Sequence, residues 1–178
     1  MAINFRFLAN AVKAGLRVLQ KPGRSTPAGT PGPARRAPSA ASQGTGQYPG
    51  DFQRQFAIRY APQRDGEPDP GEVVWAWVPY EEDHTRGKDR PVLLVGQSGG
   101  YLLGLMLTSK DRTPGLGASA DYVDIGTGGW DRKGRPSEAR LDRIVQLRPD
   151  GIRREGAVLD RERFERVADG LRRRHGWS

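Results

Sequence analysis

The 178-residue sequence contains no cysteine and only two histidines, His84 and His175. Without cysteine, the chain has no disulfide, no thiolate nucleophile and no cysteine-based zinc site. Two histidines are also too few for a histidine-rich metal site. We therefore expect no metal or other cofactor, and we expect a cytoplasmic protein.

Residues 1–50 lack aspartate and glutamate but contain seven lysines and arginines. The formal net charge of +8 therefore comes mostly from this tail, and the rest of the chain mixes both signs. A high pI raises nucleic acid as a partner in general, but here it says little about the folded part.

Uninterrupted hydrophobic runs are also scarce. The longest uncharged stretch, residues 91–109, is broken in its middle by Gln97-Ser98-Gly99-Gly100. Such a sequence is typical of a turn between two strands rather than of a membrane span.

Two segments precede the folded domain. Residues 1–20 have apolar side chains at spacings of three and four, with basic and polar residues between them, which predicts a basic amphipathic arm. Such a helix either associates weakly with an anionic membrane or a partner's groove, or docks weakly on its own domain. Residues 21–69 are rich in Pro, Gly, Ser and Ala and predict a disordered linker, so that the domain spans residues 70–178.

From Gly71 onward the pattern is that of short strands followed by one helix. The predicted strands are EVVWAWVPY, PVLLVGQ, YLLGLMLTS, ADYVDIG and EARLDRIVQL. Asp160 has the position of an N-cap before an amphipathic C-terminal helix. Short strands with Gly-rich turns and no interleaved helices predict a mainly β fold, a small antiparallel barrel with a C-terminal α-helix.

The order of three pieces carries a family resemblance. GEVVWAWVPY is followed by GKDRPVLLVG and then by LMLTS. This order resembles the PemK/MazF toxin endoribonucleases, which have a Gly-Asp/Glu-Ile/Val-Val-Trp strand, a Gly-x-x-Arg-Pro entry to the second strand and a Thr-Ser ending the third. The later LDRIVQL and the closing helix also resemble the family, so the likeness covers roughly residues 70–171.

The resemblance implies an SH3-like barrel that forms a homodimer and cuts single-stranded RNA at short sequences without a metal. It implies Arg90 and Thr108 as the catalytic residues. It also implies a partner, a cognate antitoxin with an acidic tail, and operator DNA bound by the toxin–antitoxin complex.

The chemistry of the residues supports this reading. When the 2′-hydroxyl of RNA attacks the neighbouring phosphate, leaving a 2′,3′-cyclic phosphate, the protein must stabilise a dianionic phosphorane. The guanidinium of Arg90 matches phosphate oxygens, and the hydroxyl of Thr108 can donate beside it. Pro91 favours an extended Arg90, and Ser109 adjoins Thr108, so we take both as substrate-binding candidates.

Other residues keep two readings. Arg86 and Lys88 either bind the RNA backbone or solubilise their loop. His84 either shuttles a proton or is a solvated loop residue, and we do not count it as catalytic. Trp75 and Trp77 belong to the core or stack bases, whereas Trp130, in a Gly-rich loop, is the expected exposed aromatic residue.

The segment 111–138 is long and Gly-rich beside the usual family middle, which leaves activity open. The alternative function is a non-catalytic SH3-like module that binds nucleic acid or protein. The sequence does not identify the general base.

Overall fold

The computed structural model describes residues 47–109 and 120–177. The predicted arm over residues 1–20, the linker residues 21–46 and the start of the long middle segment lie outside these residues.

Six strands and one helix follow one another along the described chain. The strands are β1 (Glu72–Pro79), β2 (Gly87–Ser98), β3 (Tyr101–Ser109), β4 (Tyr122–Gly126), β5 (Ser137–Leu147) and β6 (Ile152–Val158). A short 3₁₀ turn at Pro149–Gly151 precedes β6, and the helix α1 spans Arg161–His175. The predicted mainly β architecture with a C-terminal helix is confirmed.

The strands form one antiparallel sheet in the order β4-β5-β3-β2-β1-β6. β5 and β6 are four strand spacings apart, about 19 Å in a flat sheet. The chain from Leu147 to Ile152 advances only five residues, which reach about 18 Å at most. The sheet must therefore curl to let this short connection cross it.

The predicted small SH3-like antiparallel barrel is corrected in one respect, because the curled sheet is not closed. Of the described strands, β4 and β6 are the two edges and do not pair with each other. β4 has five residues, and β6 has seven with two register shifts against β1. Short and irregular edges of this kind discourage further pairing.

The sequence pattern missed β6. Its sequence, IRREGAV, places three consecutive charged residues where alternation of apolar and polar residues would mark a strand. Edge strands tolerate such charges because one side of the strand has no neighbour.

Each face of the sheet carries its own hydrophobic cluster. The larger cluster packs α1 against the sheet through residues that include Leu105, Ile144, Phe164 and Leu171. The smaller cluster lies on the opposite face and contains Val74, Ala76, Val78, Val92, Leu94, Leu102, Val145 and Leu147. Because side chains alternate along a strand, these clusters show which face each neighbouring residue occupies.

α1 begins as the sequence predicted. The Asp160 side chain accepts a hydrogen bond of 3.0 Å from the backbone N–H of Arg163, which satisfies one of the free donors of the first turn. The helix ends at Gly176, whose φ of 66° is in the left-handed region that favours glycine.

Residues 47–62, which we call the strap, pack along the domain. Phe52 is buried in the larger cluster, and Phe56 and Tyr60 pack against it. A Cβ on Gly96 would lie 2.6 Å from the Phe56 ring, so β2 accommodates the strap only because it has glycine there. The prediction of a disordered linker reaching residue 69 is therefore wrong for this segment, because its aromatic residues bury enough apolar surface to order it.

Candidate active site

Arg90 lies near the start of β2, directly across from Ala76 of β1. Ala76 belongs to the smaller cluster, so Arg90 occupies the same face as that cluster. The side chain is partly exposed. Within the described part of the chain its guanidinium has no hydrogen bond or ion pair, and its donors are available to a ligand.

Thr108 lies at the end of β3 and pairs with Glu138 of β5. The β2–β3 pairing ends at Val92↔Met106, and Arg90 and Thr108 each lie two residues beyond that pair. Met106 packs against the smaller cluster, so Thr108 occupies the same face as Arg90. The structure therefore brings the two predicted catalytic side chains to neighbouring positions on one face, and both are partly exposed.

The remaining predicted residues divide between the two faces. Lys88 alternates with Arg90 and shares its face, whereas Pro91 pairs with Trp75 on the other face. Ser109 pairs with Ser137, whose hydroxyl accepts a 3.1 Å hydrogen bond from the indole N–H of Trp130. Pro91 and Ser109 therefore do not join the group formed by Arg90 and Thr108.

The loop between β1 and β2 carries Arg86. Two backbone hydrogen bonds shape this loop, from Tyr80 N–H to the Arg86 carbonyl (2.8 Å) and from Arg86 N–H to the Asp83 carbonyl (3.1 Å). The exposed Arg86 guanidinium lies 5.9 Å from the centre of the Tyr80 ring. The hydroxyl and backbone N–H of Thr85 donate to Asp83 and lower the pKa of its carboxyl.

Arg140 shares the face of Arg90 but is fully engaged. It donates to both carboxylate oxygens of Asp142, at 2.6 and 2.7 Å, and to Glu81 at 2.6 Å. The hydrogen bond to Asp142 and, after it, the one to Glu81 raise the pKa of Arg140 against the opposing effect of burial. Its charge is neutralised within the domain, so it is a poor candidate for binding phosphate.

A buried network joins the strap to the base of the β1–β2 loop. Arg143 donates to the Asp51 carboxylate at 2.7 Å and to the Pro79 carbonyl at 2.7 Å. The Tyr48 hydroxyl donates to Asp51 at 2.6 Å, and its ring contacts His84 edge-on, with ring centres 5.0 Å apart. Sequence reasoning missed this network, since nothing local links residues more than 60 positions apart.

Burial governs the protonation of this network. The pKa of the Tyr48 hydroxyl is raised above its usual value, first by burial and then by the hydrogen bond to Asp51. Burial is the largest single effect on Arg143 and opposes its charge, but the hydrogen bond to Asp51 and the charge interactions with Asp51, Tyr48 and Glu81 together raise the pKa of Arg143. Together these effects keep Tyr48 neutral and Arg143 cationic across the physiological range.

A cleft of about 510 Å³ lies on the face opposite Arg90. Its lining includes Trp75, Trp130 and Arg132. Trp130 is 2% exposed, which overturns the expectation that it is the exposed aromatic residue. Its ring is part of the larger hydrophobic cluster. Its indole N–H donates to Ser137, and its carbonyl accepts a 3.2 Å hydrogen bond from the Trp75 indole.

Within residues 47–109 and 120–177, no three or more His, Cys, Asp or Glu side chains are grouped so that they could hold a metal ion. No helix of this part is long and apolar enough to cross a membrane.

The family model of the PemK-like, MazF-like toxins of type II toxin–antitoxin systems matches residues 69–174. The match spans more than half of the chain and contains every strand of the sheet and nearly all of α1. The chain belongs to this family, as the order of its motifs indicated.

Three solved structures illustrate the likeness. The toxin MazF-mt6 of Mycobacterium tuberculosis is 16% identical with a TM-score of 0.45, over 60% of this chain and 98% of that one. An endoribonuclease from a mycobacterial species is 16% identical with a TM-score of 0.43, over 65% and 97%. A chain of the MazE–MazF complex of Deinococcus radiodurans is 19% identical with a TM-score of 0.45, over 64% and 100%. No curated protein sequence matches the chain.

Proposed function

We propose that this protein is the toxin of a type II toxin–antitoxin pair and a metal-independent endoribonuclease that cuts single-stranded RNA at a short sequence. One observation carries the proposal. In a chain of this family, the structure leaves the guanidinium of Arg90 partly exposed and without a partner among the described residues, on the same face as the hydroxyl of Thr108.

The reaction uses the RNA's own 2′-hydroxyl. Its oxygen attacks the adjacent phosphorus and loses its proton to a base, and the bond from phosphorus to the 5′ oxygen then breaks. The departing oxygen takes up a proton, so the products are a 2′,3′-cyclic phosphate and a 5′-hydroxyl end. No metal is needed to supply the nucleophile, because the substrate provides it.

Arg90 and Thr108 stabilise the phosphorane between these two events. A guanidinium offers two parallel N–H donors to the non-bridging oxygens, where negative charge accumulates. The Thr108 hydroxyl donates a further hydrogen bond to the same group. Both side chains project from strands rather than from mobile loops, which holds the donors in place before the substrate arrives.

Arg86 and Lys88 extend the positive charge beyond the reacting phosphate. Both side chains are exposed, and Lys88 shares the face of Arg90. We assign them contacts with neighbouring RNA phosphates, which strengthen binding without sequence preference. Pro91 acts differently: its ring faces away from this group and restricts the backbone of Arg90 to an extended conformation.

The positive charge of Arg90, Arg86 and Lys88 also indicates what kind of protein partner would bind here. An antitoxin with an acidic, disordered tail would neutralise Arg90, Arg86 and Lys88 by covering them. We further propose that the toxin is a cytoplasmic homodimer and that operator DNA is bound by the toxin–antitoxin complex. Weak membrane association of residues 1–20 remains a prediction from their sequence.

Inducible expression of the full chain in a bacterial host tests the function. Wild type should arrest growth, and mapping of RNA 5′ ends should show new ends at a recurrent short sequence. Arg90→Ala should do neither at the same protein level. The matched control is Arg132→Ala, which removes another exposed arginine from the opposite face and should behave as wild type.

Arrest without new RNA ends, or equal arrest by Arg90→Ala, would contradict the ribonuclease. A wild type that neither arrests growth nor cuts RNA would favour the non-catalytic module.

A further inference from the structure

We propose that Glu138 is the base that accepts the proton of the attacking 2′-hydroxyl. This inference rests on the proposed ribonuclease function and supplies the one group that Arg90 and Thr108 cannot. A guanidinium stays protonated at any pH a protein experiences, so Arg90 cannot take up a proton. A threonine hydroxyl is equally unsuited, because it is a weak base.

The sheet places Glu138 in a row with the two catalytic residues. β5, β3 and β2 are neighbours in that order. Glu138 of β5 is the registered partner of Thr108 on β3. The β2–β3 pairing ends at Val92↔Met106, and Arg90 and Thr108 each lie two residues beyond that pair on the same face. Directly opposite residues on antiparallel strands share a face, so the base, the hydroxyl and the cation lie side by side across three strands.

The spacing of this row suits a phosphodiester. Strands are about 4.8 Å apart, so the backbones of Arg90 and Glu138 are separated by about 10 Å. A ribose and its 3′ phosphate centred on Thr108 would therefore have the guanidinium on one side and the carboxylate on the other. This arrangement keeps positive charge at the phosphate and a proton acceptor at the sugar.

Glu138 is also chemically available. Its side chain is partly exposed and has no hydrogen bond or ion pair within the described chain. Glu81 and Asp142, by contrast, are both bound to Arg140. Of the nearby strand carboxylates on this face, Glu138 therefore combines registry with Thr108 and freedom from an arginine.

The charged groups facing Glu138 come from two elements. Asp124 of β4 is its registered neighbour on the side away from Thr108, and its carboxylate accepts a 2.7 Å hydrogen bond from the Gly126 N–H. Arg140 follows on the same face of β5 and is held by Asp142 and Glu81. Thr108 is the facing residue on β3 and is uncharged.

The proposed step is balanced without any further reagent. The proton moves from the 2′ oxygen to a carboxylate oxygen of Glu138 as the new bond to phosphorus forms. The carboxylate becomes neutral, and the phosphorane takes the negative charge that Arg90 stabilises. The bond from phosphorus to the 5′ oxygen then breaks, that oxygen takes a proton from water, and Glu138 returns its proton to solvent. General base catalysis of this type contributes about 10²- to 10⁴-fold to rate.

Single-turnover cleavage with full-length protein tests the assignment. A long transcript first locates the cut made by wild type, and a short RNA carrying that cut is then used throughout. Glu138→Gln should lower the rate at neutral pH by about 10²-fold or more. The rate of wild type should fall at acidic pH as the base is protonated, and Glu138→Gln should lack this acidic limb.

Binding separates a catalytic role from a structural one. An RNA with a 2′-deoxy sugar at the cut cannot react, and Glu138→Gln should bind it at least as tightly as wild type does. Glu138→Asp should cut slowly but keep the acidic limb, which also provides a folded carboxylate variant. Glu67→Gln is the matched control, because it removes one exposed glutamate charge before β1 and should leave rate and pH profile unchanged.

Cleavage by Glu138→Gln within about threefold of wild type, with the acidic limb retained, would overturn the assignment of the base alone. A normal pH profile with weakened binding of the unreactive RNA would overturn it in favour of a binding role. If wild type itself cuts no RNA while folded, the proposed function fails first, and this inference falls with it.

Discussion

Two groups of polar side chains lie at the same end of the sheet, and they differ in whether they have side-chain partners. Arg90, Thr108 and Glu138 are partly exposed and have no side-chain partner within the described residues. Arg140 and Arg143, only a few positions further along β5, have two or more partners each.

The comparison distinguishes Arg140 and Arg143, which stabilise the domain, from Arg90, whose guanidinium is available to a ligand. A buried arginine must be paired, because an uncompensated charge in the interior is strongly unfavourable. Arg143 is paired with a carboxylate from the strap and a carbonyl at the end of β1, and its Nη2 atom is buried without a hydrogen-bond partner among the described residues. Arg90 needs no partner within the domain, because its side chain is partly exposed and water can solvate its charge.

The largest effect on the free energy of unfolding should come from removing the hydrogen bonds of Arg143. Arg143→Met keeps the approximate volume of the side chain but removes the donor to Asp51 Oδ2 and to the Pro79 carbonyl, so that Asp51 keeps only its hydrogen bond from Tyr48. We expect the free energy of unfolding to fall by about 3–5 kcal/mol, the usual result when one partner of a buried pair is removed. Urea unfolding followed by tryptophan fluorescence would measure it.

An exposed pair provides the control for this change. Arg148 and Asp150 form an ion pair in which both side chains are more than half exposed. Arg148→Met should lower the free energy of unfolding far less than Arg143→Met does, because solvent screens an exposed ion pair. Equal losses in the two variants would show that the Arg143 network adds nothing beyond a surface contact.

The pH dependence of stability should show how much Tyr48 contributes to the same network. Tyr48→Phe removes a hydrogen bond to a charged acceptor, so we expect a loss of about 1.5–3 kcal/mol at neutral pH. The pKa of Tyr48 is raised above its ordinary value of 10.0, first by burial and then by the hydrogen bond to Asp51. A raised pKa stabilises the fold below pH 10, and this contribution is lost as pH rises above 10.

The gap in unfolding free energy between wild type and Tyr48→Phe should therefore narrow from pH 8 to pH 11. Contributions from groups other than Tyr48 are common to both proteins and cancel in the difference. A gap that stays constant over this range would mean that the Tyr48 phenol ionises as freely in the folded as in the unfolded protein.

Arg90 and Thr108 could be predicted from sequence more readily than the pairing of Asp51 with Arg143. Arg90 and Thr108 stand in short motifs at the ends of two apolar runs, so local pattern alone predicts neighbouring strand ends. Glu138 has no such mark, because its relation to Thr108 comes from the β3–β5 register. That register contains an irregularity between Leu105 and Leu107 that no local pattern encodes.

The pairing of Asp51 with Arg143 depends wholly on tertiary structure. Asp51 lies in a segment whose composition predicts disorder, and Arg143 reads like any polar residue of an alternating strand. Their pairing follows from the packing of Phe52 and Phe56 on the sheet, which brings Asp51 over β5. Aromatic spacing in the strap, Phe52, Phe56 and Tyr60 at intervals of four, was the signal that could have revealed it.

The smallest of these effects concerns Thr108 and tests whether its hydroxyl contributes to cleavage. Thr108→Val keeps the β-branched shape that suits a strand and removes only the hydroxyl, so stability should change little. If the hydroxyl donates to the phosphorane, the cleavage rate should fall about tenfold, equivalent to about 1.4 kcal/mol of barrier. Thr108→Ser retains the hydroxyl and should keep most of the rate in the same single-turnover assay. A serine variant as slow as the valine variant would mean that the threonine methyl group, rather than its hydroxyl, sets the geometry of the row.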